Sequence, residues 1–293
     1  MPNSKAANYL HLHFIVFIWG FTAVLGALIS ISAIPLVWYR VMLASIFIFL
    51  FLLWRGTVLK VNTQTLWQCI FGGVLIGLHW ITFFYAIKVA NVSIALATMS
   101  TGALFTTLLN KIFFKRKFIT YELIFAFLAI LGLTLIFYAN GNYYKGLLAG
   151  LISAFLSACF TLLNSKLVLH NVASVISFYE LLTATVLIGL WLFFNNKIDI
   201  AFFQLSGTDW LYLILLASIC TAYAFVASTY VLKQVNAFTM MLTINLEPIY
   251  GIILALIIFG EKEHMSLEFY LGAIIVLFTV ILNGIITLRR KKF

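Results

Sequence analysis

The sequence predicts an all-α integral membrane protein, ten transmembrane helices arranged as two inverted five-helix repeats. Three observations predict it. Hydrophobic residues make up 64% of the 293 and charged residues only 9%, against the roughly 25% charged that soluble domains carry. Ten apolar runs approach or exceed the length of about 20 residues that a spanning helix needs: 9–29, 33–54, 65–89, 92–114, 118–139, 144–168, 174–195, 208–232, 236–259 and 266–288. Finally, the stretch from Tyr85 to Phe114 returns as Tyr230 to Phe259, about five runs later. An odd number of crossings between copies makes the second enter from the opposite face. The repeats are bounded as 1–140 and 141–293.

A shift of 145 pairs Tyr85 with Tyr230, Lys88 with Lys233, Asn91 with Asn236, Thr98 with Thr243, Leu109 with Leu254, Ile112 with Ile257 and Phe114 with Phe259. The polar matches carry the weight, because apolar runs resemble one another by composition alone. One residue further on, Thr120-x-Glu122 pairs with Ser266-x-Glu268 where the fifth and tenth runs begin. There a hydroxyl can cap the helix and a carboxylate can face its positive end, a structural role.

Charge sets the orientation. With both termini inside, the inner segments hold 13 basic residues: Lys5, Arg55, Lys60, Lys111, Lys115, Arg116, Lys117, Lys166, Lys233, Arg289, Arg290, Lys291 and Lys292. The outer segments hold 4: Lys88, Lys145, Lys197 and Lys262. That is the positive-inside pattern, and it accounts for the net charge of +10 through membrane lipid headgroups, with no nucleic-acid partner. No loop exceeds about a dozen residues, so the function must lie inside the bundle. Cys69, Cys159 and Cys220 fall singly within apolar runs, without metal or redox spacing, and are expected as small core residues.

Taken in order, the first run is too long and too poor in cleavage signals to be a signal peptide; it carries Trp19-Gly20. The second has Arg40 shortly after Pro35. The third places Gly73 and Gly77 as a small-x-x-x-small pair for close packing, followed by His79-Trp80 with Phe83 on the same face as His79. The fourth has Gly102-Ala103 where the ninth has Glu247-Pro248. A stripe of Gly146, Gly150, Ala154 and Ala158 marks a packing face on the sixth. The seventh has Tyr179-Glu180 near its start. In the ninth, Pro248 frees the carbonyl of Ile244 beside Asn245 and Glu247. Two readings of Glu247 stand: a cavity wall holding an amine or a proton, or a carboxyl bracing the kink.

Ionisable groups inside a membrane cost roughly 2.5 to 3.5 kcal/mol on insertion scales, so each needs a reason. Trp38-Tyr39-Arg40 aligns with Phe178-Tyr179-Glu180 at the starts of the second and seventh runs. Entering from opposite faces, both charges lie about 10 Å deep, leaving them about 10 Å apart along the normal of a core about 30 Å thick. Separate roles follow, with Arg40 as an outer gate and Tyr179 and Glu180 as an inner one.

Trp19-Gly20, Pro35 to Arg40, Tyr179-Glu180 and Leu246-Glu247-Pro248 running to Gly260-Glu261, in that order and spacing, resemble the EamA-type branch of the drug/metabolite transporter superfamily across essentially the whole chain. The first copy departs from the pattern, with Gly102-Ala103 for a Ser-Pro and Lys115-Arg116 for a Gly-Glu. The resemblance implies a multi-pass protein of a bacterial inner (plasma) membrane with cytoplasmic termini. It also implies a central cavity lined mainly by helices one, three, four, six, eight and nine, through which small metabolites, amino acids among them, are exported by alternating access. Substrate-binding candidates are then Trp19, His79, Trp80, Phe83, Asn164, Tyr223, Asn245 and Glu247, with no catalytic residue, cofactor or metal, in a monomer. The alternative is a membrane-embedded enzyme acting on a lipid-linked substrate. It would want clustered acids or histidines at one interface, whereas the eight acids and five histidines are scattered. A passive channel lacks a charged ring or carbonyl filter. The 17% aromatic content is mostly Phe toward lipid, with Trp and Tyr at interfaces.

Overall fold

The computed structural model describes residues 5–114, 120–139 and 141–290, which are helical along nearly their whole length, with no strand among them. The first three predicted runs appear as α1 (Lys5–Leu28), α2 (Ala33–Trp54) and α3 (Thr63–Val89). The fourth is broken into α4 (Val92–Met99) and α5 (Gly102–Phe114), and the fifth is α6 (Thr120–Ala139). In the second half, α7 (Tyr144–Leu167) and α8 (Ala173–Phe194) are continuous, and a short α9 (Ile200–Phe203) stands in what was expected to be a loop. The eighth run is α10 (Gly207–Ala217), a π-helical turn (Ser218–Tyr223) and α11 (Ala224–Val231). The ninth divides into α12 (Ala237–Ile244) and α13 (Glu247–Phe259), and the tenth is α14 (Leu267–Arg290). Among the described residues, 8 helical stretches are long and apolar enough to cross a membrane. The basic residues 115–117, 291 and 292 lie outside the described residues, as do the side chains of Lys5, Thr120, Glu122, Arg289 and Arg290.

The polar residues shared by the two halves perform matching local jobs. Asn91 accepts from the backbone N–H of Ile94 at 2.9 Å, capping α4, and Asn236 accepts from that of Thr239 at 2.8 Å, capping α12. Thr98 and Thr243 each donate to the carbonyl four residues back, at 3.0 and 2.9 Å, just before the helix breaks. Both copies therefore interrupt at the same place. Pro248 accounts for the second break by withholding a donor. The first has no proline; there the hydroxyls of Ser100 and Thr101 donate to the carbonyls of Ala97 and Thr98 at 2.6 and 2.7 Å, satisfying groups that a continuous helix would have bonded.

The main helix contacts join the halves: α2 with α8, α3 with α7 and α8, α1 with α13, α4 with α7, and α6 with α14. Glycine permits the closest of them. A Cβ on Gly132 would lie 2.8 Å from the Gly272 carbonyl, and one on Gly272 would lie 2.6 Å from that of Gly132, so α6 and α14 touch backbone to backbone. Gly146 and Gly150 leave no room for a Cβ against the side chains of Ala90 and Thr98, where α7 crosses the end of α3 and α4, which identifies the small stripe as packing. Gly73 on α3 leaves no room for a Cβ against the Glu180 carbonyl and the Thr183 side chain.

Carboxylates tie the halves at one end of the bundle, called here the far end. Asp209 accepts from Ser30 N at 2.7 Å, Ser30 Oγ at 2.6 Å and Ser206 Oγ at 2.8 Å, with Lys88 in electrostatic reach. Glu263 accepts from Val92 N and Ser93 N at 3.0 Å each and from Ser93 Oγ at 2.8 Å, at the positive start of α4. Tyr39 donates to the Phe202 carbonyl at 2.8 Å and stacks on its ring, fastening α9 over the same end. At the near end, Tyr179 donates to the Leu59 carbonyl at 3.0 Å.

Gly73→Ala is expected to destabilise the protein by about 1–3 kcal/mol through overpacking, read as a lower thermal midpoint in detergent. Gly207→Ala, where an added Cβ meets nothing within 4 Å, should raise stability by about 0.4–1 kcal/mol by restricting the unfolded chain.

Candidate functional site

Side chains from α1, α2, α3, α4, α7, α11, α12 and α13 enclose a cavity in the middle of the bundle. From α2, Arg40 enters it only 1% exposed. Its Nε donates to Thr221 Oγ1 at 2.6 Å, and its guanidinium carbon lies 4.1 Å from the Trp80 ring centre, a cation–π contact. The π turn makes this possible. Thr221 Oγ1 donates to Leu216 O, five residues back, at 2.6 Å, so the widened turn presents a hydroxyl inward; the Cys220 carbonyl beside it accepts from Trp19 Nε1 at 3.2 Å. Such turns recur at functional sites. Neither Thr221 nor the turn was expected from sequence, although the run Ser218-Ile-Cys-Thr-Ala-Tyr223 is unusually small and polar for an apolar helix.

His79 and Ser153 lock α3 to α7. The Ser153 hydroxyl donates to the His79 carbonyl at 2.9 Å, and His79 Nδ1 stands 2.9 Å from the Ser153 carbonyl. With the hydroxyl proton so committed, Nδ1 carries the hydrogen and donates. Phe83 stacks on the imidazole, ring centres 6.2 Å apart, and Phe160 lies 5.4 Å away on the opposite helix. Trp80 packs edge-on against Phe225, so aromatic surface covers much of the wall.

On the other side, Glu247 begins α13 at the break, 8% exposed and lining the cavity. It shares the cavity with Arg40, and the two do not form an ion pair among the described residues. Asn164 lines the cavity toward the near end and donates from Nδ2 to Glu180 Oε2 at 3.1 Å.

Trp19, His79, Trp80, Phe83, Asn164 and Glu247 thus line one cavity. Asn245 does not; it is 1% exposed behind the break, with neither amide atom bonded among the described residues. Tyr223, expected in the cavity, is 42% exposed on the outside of the π turn, where its hydroxyl meets His11 Nε2 at 2.9 Å; the extra residue of the turn rotates it away. Arg40, expected as a gate, is part of the wall, because its long side chain reaches from α2 to Thr221. Glu180 is fully buried against Gly72 with Asn164 as its partner, and Tyr179 reaches the chain after α2. Arg40 and Glu180 accordingly have separate partners.

The cavity volume is about 70 Å³, well below the roughly 300–1,000 Å³ of pockets that hold small molecules. Wall residues must part before a metabolite fits.

A model of the EamA-like transporter family matches residues 9–138 and again 144–285. The chain belongs to this family. It is a multi-pass membrane protein of a transporter family, and the cavity is where its two matched segments face one another. The solved structures of 28 chains also match. One of them, described only as "Crystal structure of protein", resembles this chain with a TM-score of 0.70 over 95% of it and 98% of the other chain, at 14% identity, a likeness of fold. Among curated proteins, none matches by sequence.

Ser153→Ala removes the hydroxyl bond of the α3–α7 lock and leaves the bond from His79 Nδ1 to the backbone carbonyl of residue 153. It is expected to cost about 1–2 kcal/mol of stability, measured as a shift in detergent or thermal midpoint.

Proposed function

We propose that the protein is a secondary transporter of a bacterial inner membrane that exports small metabolites, amino acids among them, by alternating access. In this proposal ten membrane helices form two inverted repeats, residues 1–140 and 141–293, with both termini cytoplasmic. One observation carries it: a cavity at mid-bundle, between the two halves, walled by aromatic rings and by two charged side chains that do not pair with each other. In hydrocarbon such charges are costly, and a substrate pathway supplies the reason for keeping them. The pairing of helices across the halves supports rocking of one repeat against the other.

The far end is then external and closed, held by Asp209 and Glu263. The cavity runs toward the near end, where Asn164, Leu232 and Met240 line it. Export requires the far-end ties to break and the contacts around Tyr179, Leu59, Asn164 and Glu180 to close, which gives Tyr179 and Glu180 an inner-gate role. A carboxylate bonded to three donors holds more firmly than the single Tyr179 bond, so the inward-facing state is favoured at rest.

Counterflow in proteoliposomes against labelled amino acids, nucleosides and sugar phosphates should show saturable exchange of a member of the panel. Absence of exchange for every member would turn the assignment toward an enzyme of lipid-linked substrates. Glu247→Gln should lower exchange at least about tenfold if the carboxylate binds an amine or a proton; unchanged exchange with an unchanged pH profile would leave Glu247 a brace for the helix break. Asp209→Asn should speed labelling of a cavity cysteine at position 22, in a background lacking Cys69, Cys159 and Cys220, by an impermeant thiol reagent added outside. An unchanged rate would remove Asp209 from the closure.

A further inference from the structure

Gly73 and Gly77 do different work on the same face of α3. A Cβ on Gly73 would run into the Glu180 carbonyl and the Thr183 side chain, whereas one on Gly77 would meet Ala184 Cβ at 3.4 Å and Ile188 Cδ1 at 3.7 Å, ordinary packing distances. α3 and α8 therefore press together at Gly73 and part toward the far end. Gly77 and Ala184 carry too little side chain to close the gap. It forms a groove of about 370 Å³ between α2, α3 and α8, separate from the central cavity and several times its volume.

Every residue that lines the groove is apolar. Gly73, Gly77, Ala184 and Ile188 form a buried floor, while Leu78, Leu187 and Trp191 stand at the protein surface, 47%, 43% and 44% exposed. The three helices are long and apolar enough to span a membrane, so the groove opens sideways, toward hydrocarbon. Apolar spaces stay dry, and a gap left empty forfeits the dispersion contacts of its walls. What fills it is therefore hydrocarbon.

Depth and size narrow the choice. The lining runs from Gly73 to Ile81 on α3 and from Ala184 to Trp191 on α8, about 12 Å and about 10 Å along the helices. Both stretches lead from mid-helix toward the far end. One leaflet of the hydrocarbon core is about 15 Å deep. At about 30 Å³ for a group the size of a water molecule, the volume holds about a dozen methylenes, which is one acyl chain.

The mouth carries a charge. Beyond Trp191 the chain folds back on α8: Asn195 Nδ2 donates to the Trp191 carbonyl at 2.7 Å and the Lys197 N–H to the Leu192 carbonyl at 2.9 Å, with Asn196 at φ 51°. The backbone of an exposed cation is thus fixed beside the last turn of α8, where the groove reaches the far-end surface. Asp199, the acid nearest in sequence, accepts from the N–H of Phe202 as the cap of α9. A Trp at the interface with a Lys at headgroup level matches the layers of a lipid, ring against the glycerol region and cation against the phosphate.

We propose that this groove binds one phospholipid of the far-end leaflet, with an acyl chain between α3 and α8 and the phosphate beside Lys197. The floor is a seam between the two halves, so the chain packs against both and fastens them from outside the central cavity. The site does not depend on what that cavity carries.

The test is photolabelling of the full chain in detergent with phosphatidylglycerol bearing a diazirine at mid-chain, titrated against unlabelled phosphatidylglycerol, with adducts mapped by mass spectrometry. Adducts should concentrate on residues 73–81 and 184–191, saturate at one per chain and be displaced by the unlabelled lipid. Labelling near the exposed Phe127 and Phe278 on α6 and α14 should stay sparse and unsaturated. Val74→Trp, which fills the groove, should abolish the saturable adducts, and Leu78→Trp does the same from the lip if Val74→Trp fails to elute as the wild type does. Ile130→Trp, a like change on the exposed face of α6, should leave them unchanged. Lys197→Gln should weaken binding about twofold to fivefold, the worth of an exposed charge pair. Equal labelling of all lipid-exposed faces would overturn the proposal, as would saturable adducts that survive the filling variants or are unaltered by Lys197→Gln. A dimer on size exclusion that Val74→Trp dissociates would put a second copy in the groove and overturn it as well.

Discussion

Every polar group inside the bilayer must be satisfied by the protein, and the rest of this structure follows from how that demand is met. A continuous helix meets it for the backbone automatically. At the first break and at the π turn, side chains take over. Ser100 and Thr101 bond the carbonyls of Ala97 and Thr98 at the first break, and Asn91 and Asn236 cap the half-helices that lead into the two breaks. The π turn commits Leu216 O to Thr221 and Cys220 O to Trp19. The cavity sits among these interruptions because there the backbone leaves room and polar groups are already gathered.

The charged side chains divide into two kinds by the same rule. Asp209 and Glu263 are surrounded by donors and tie the halves together at one end. Arg40 and Glu247 line the cavity without pairing among the described residues, and Arg40 Nη1 is buried with no hydrogen-bond partner there. Carboxylates surrounded by donors hold a geometry. The cavity has a volume of about 70 Å³, and the carboxylate ties lie together at one end of the bundle.

Much of this was legible in the residues. The repeat at a spacing of 145 corresponds to caps and threonine back-bonds that recur at the same points in both halves. The glycine-alanine stripe packs as its spacing suggested, and His79, Trp80, Phe83, Asn164, Trp19 and Glu247 line one cavity. What was not legible depends on local departures from helical period. A single π turn sends Tyr223 outward and Thr221 inward, and no periodicity argument with 3.6 residues per turn can anticipate it. The break in the first copy has no proline to announce it, since hydroxyl groups do that work. Arg40 was placed by the depth of its backbone, yet a guanidinium acts where its long stem delivers it.

The sequence by itself determined that this chain is a helical membrane protein with duplicated halves, because apolar length and polar repeats are properties of the chain and its solvent. Its inventory of buried ionisable groups was equally fixed. Only the tertiary structure decided which of those groups are satisfied and which are not. That decision turns on distances of a few ångströms between helices far apart in sequence: α2 against the π turn for Arg40, and α1 and α4 against the chain around Asp209 and Glu263. Hydrogen bonds are short-ranged and directional, so function here rests on contacts that no spacing along the chain encodes.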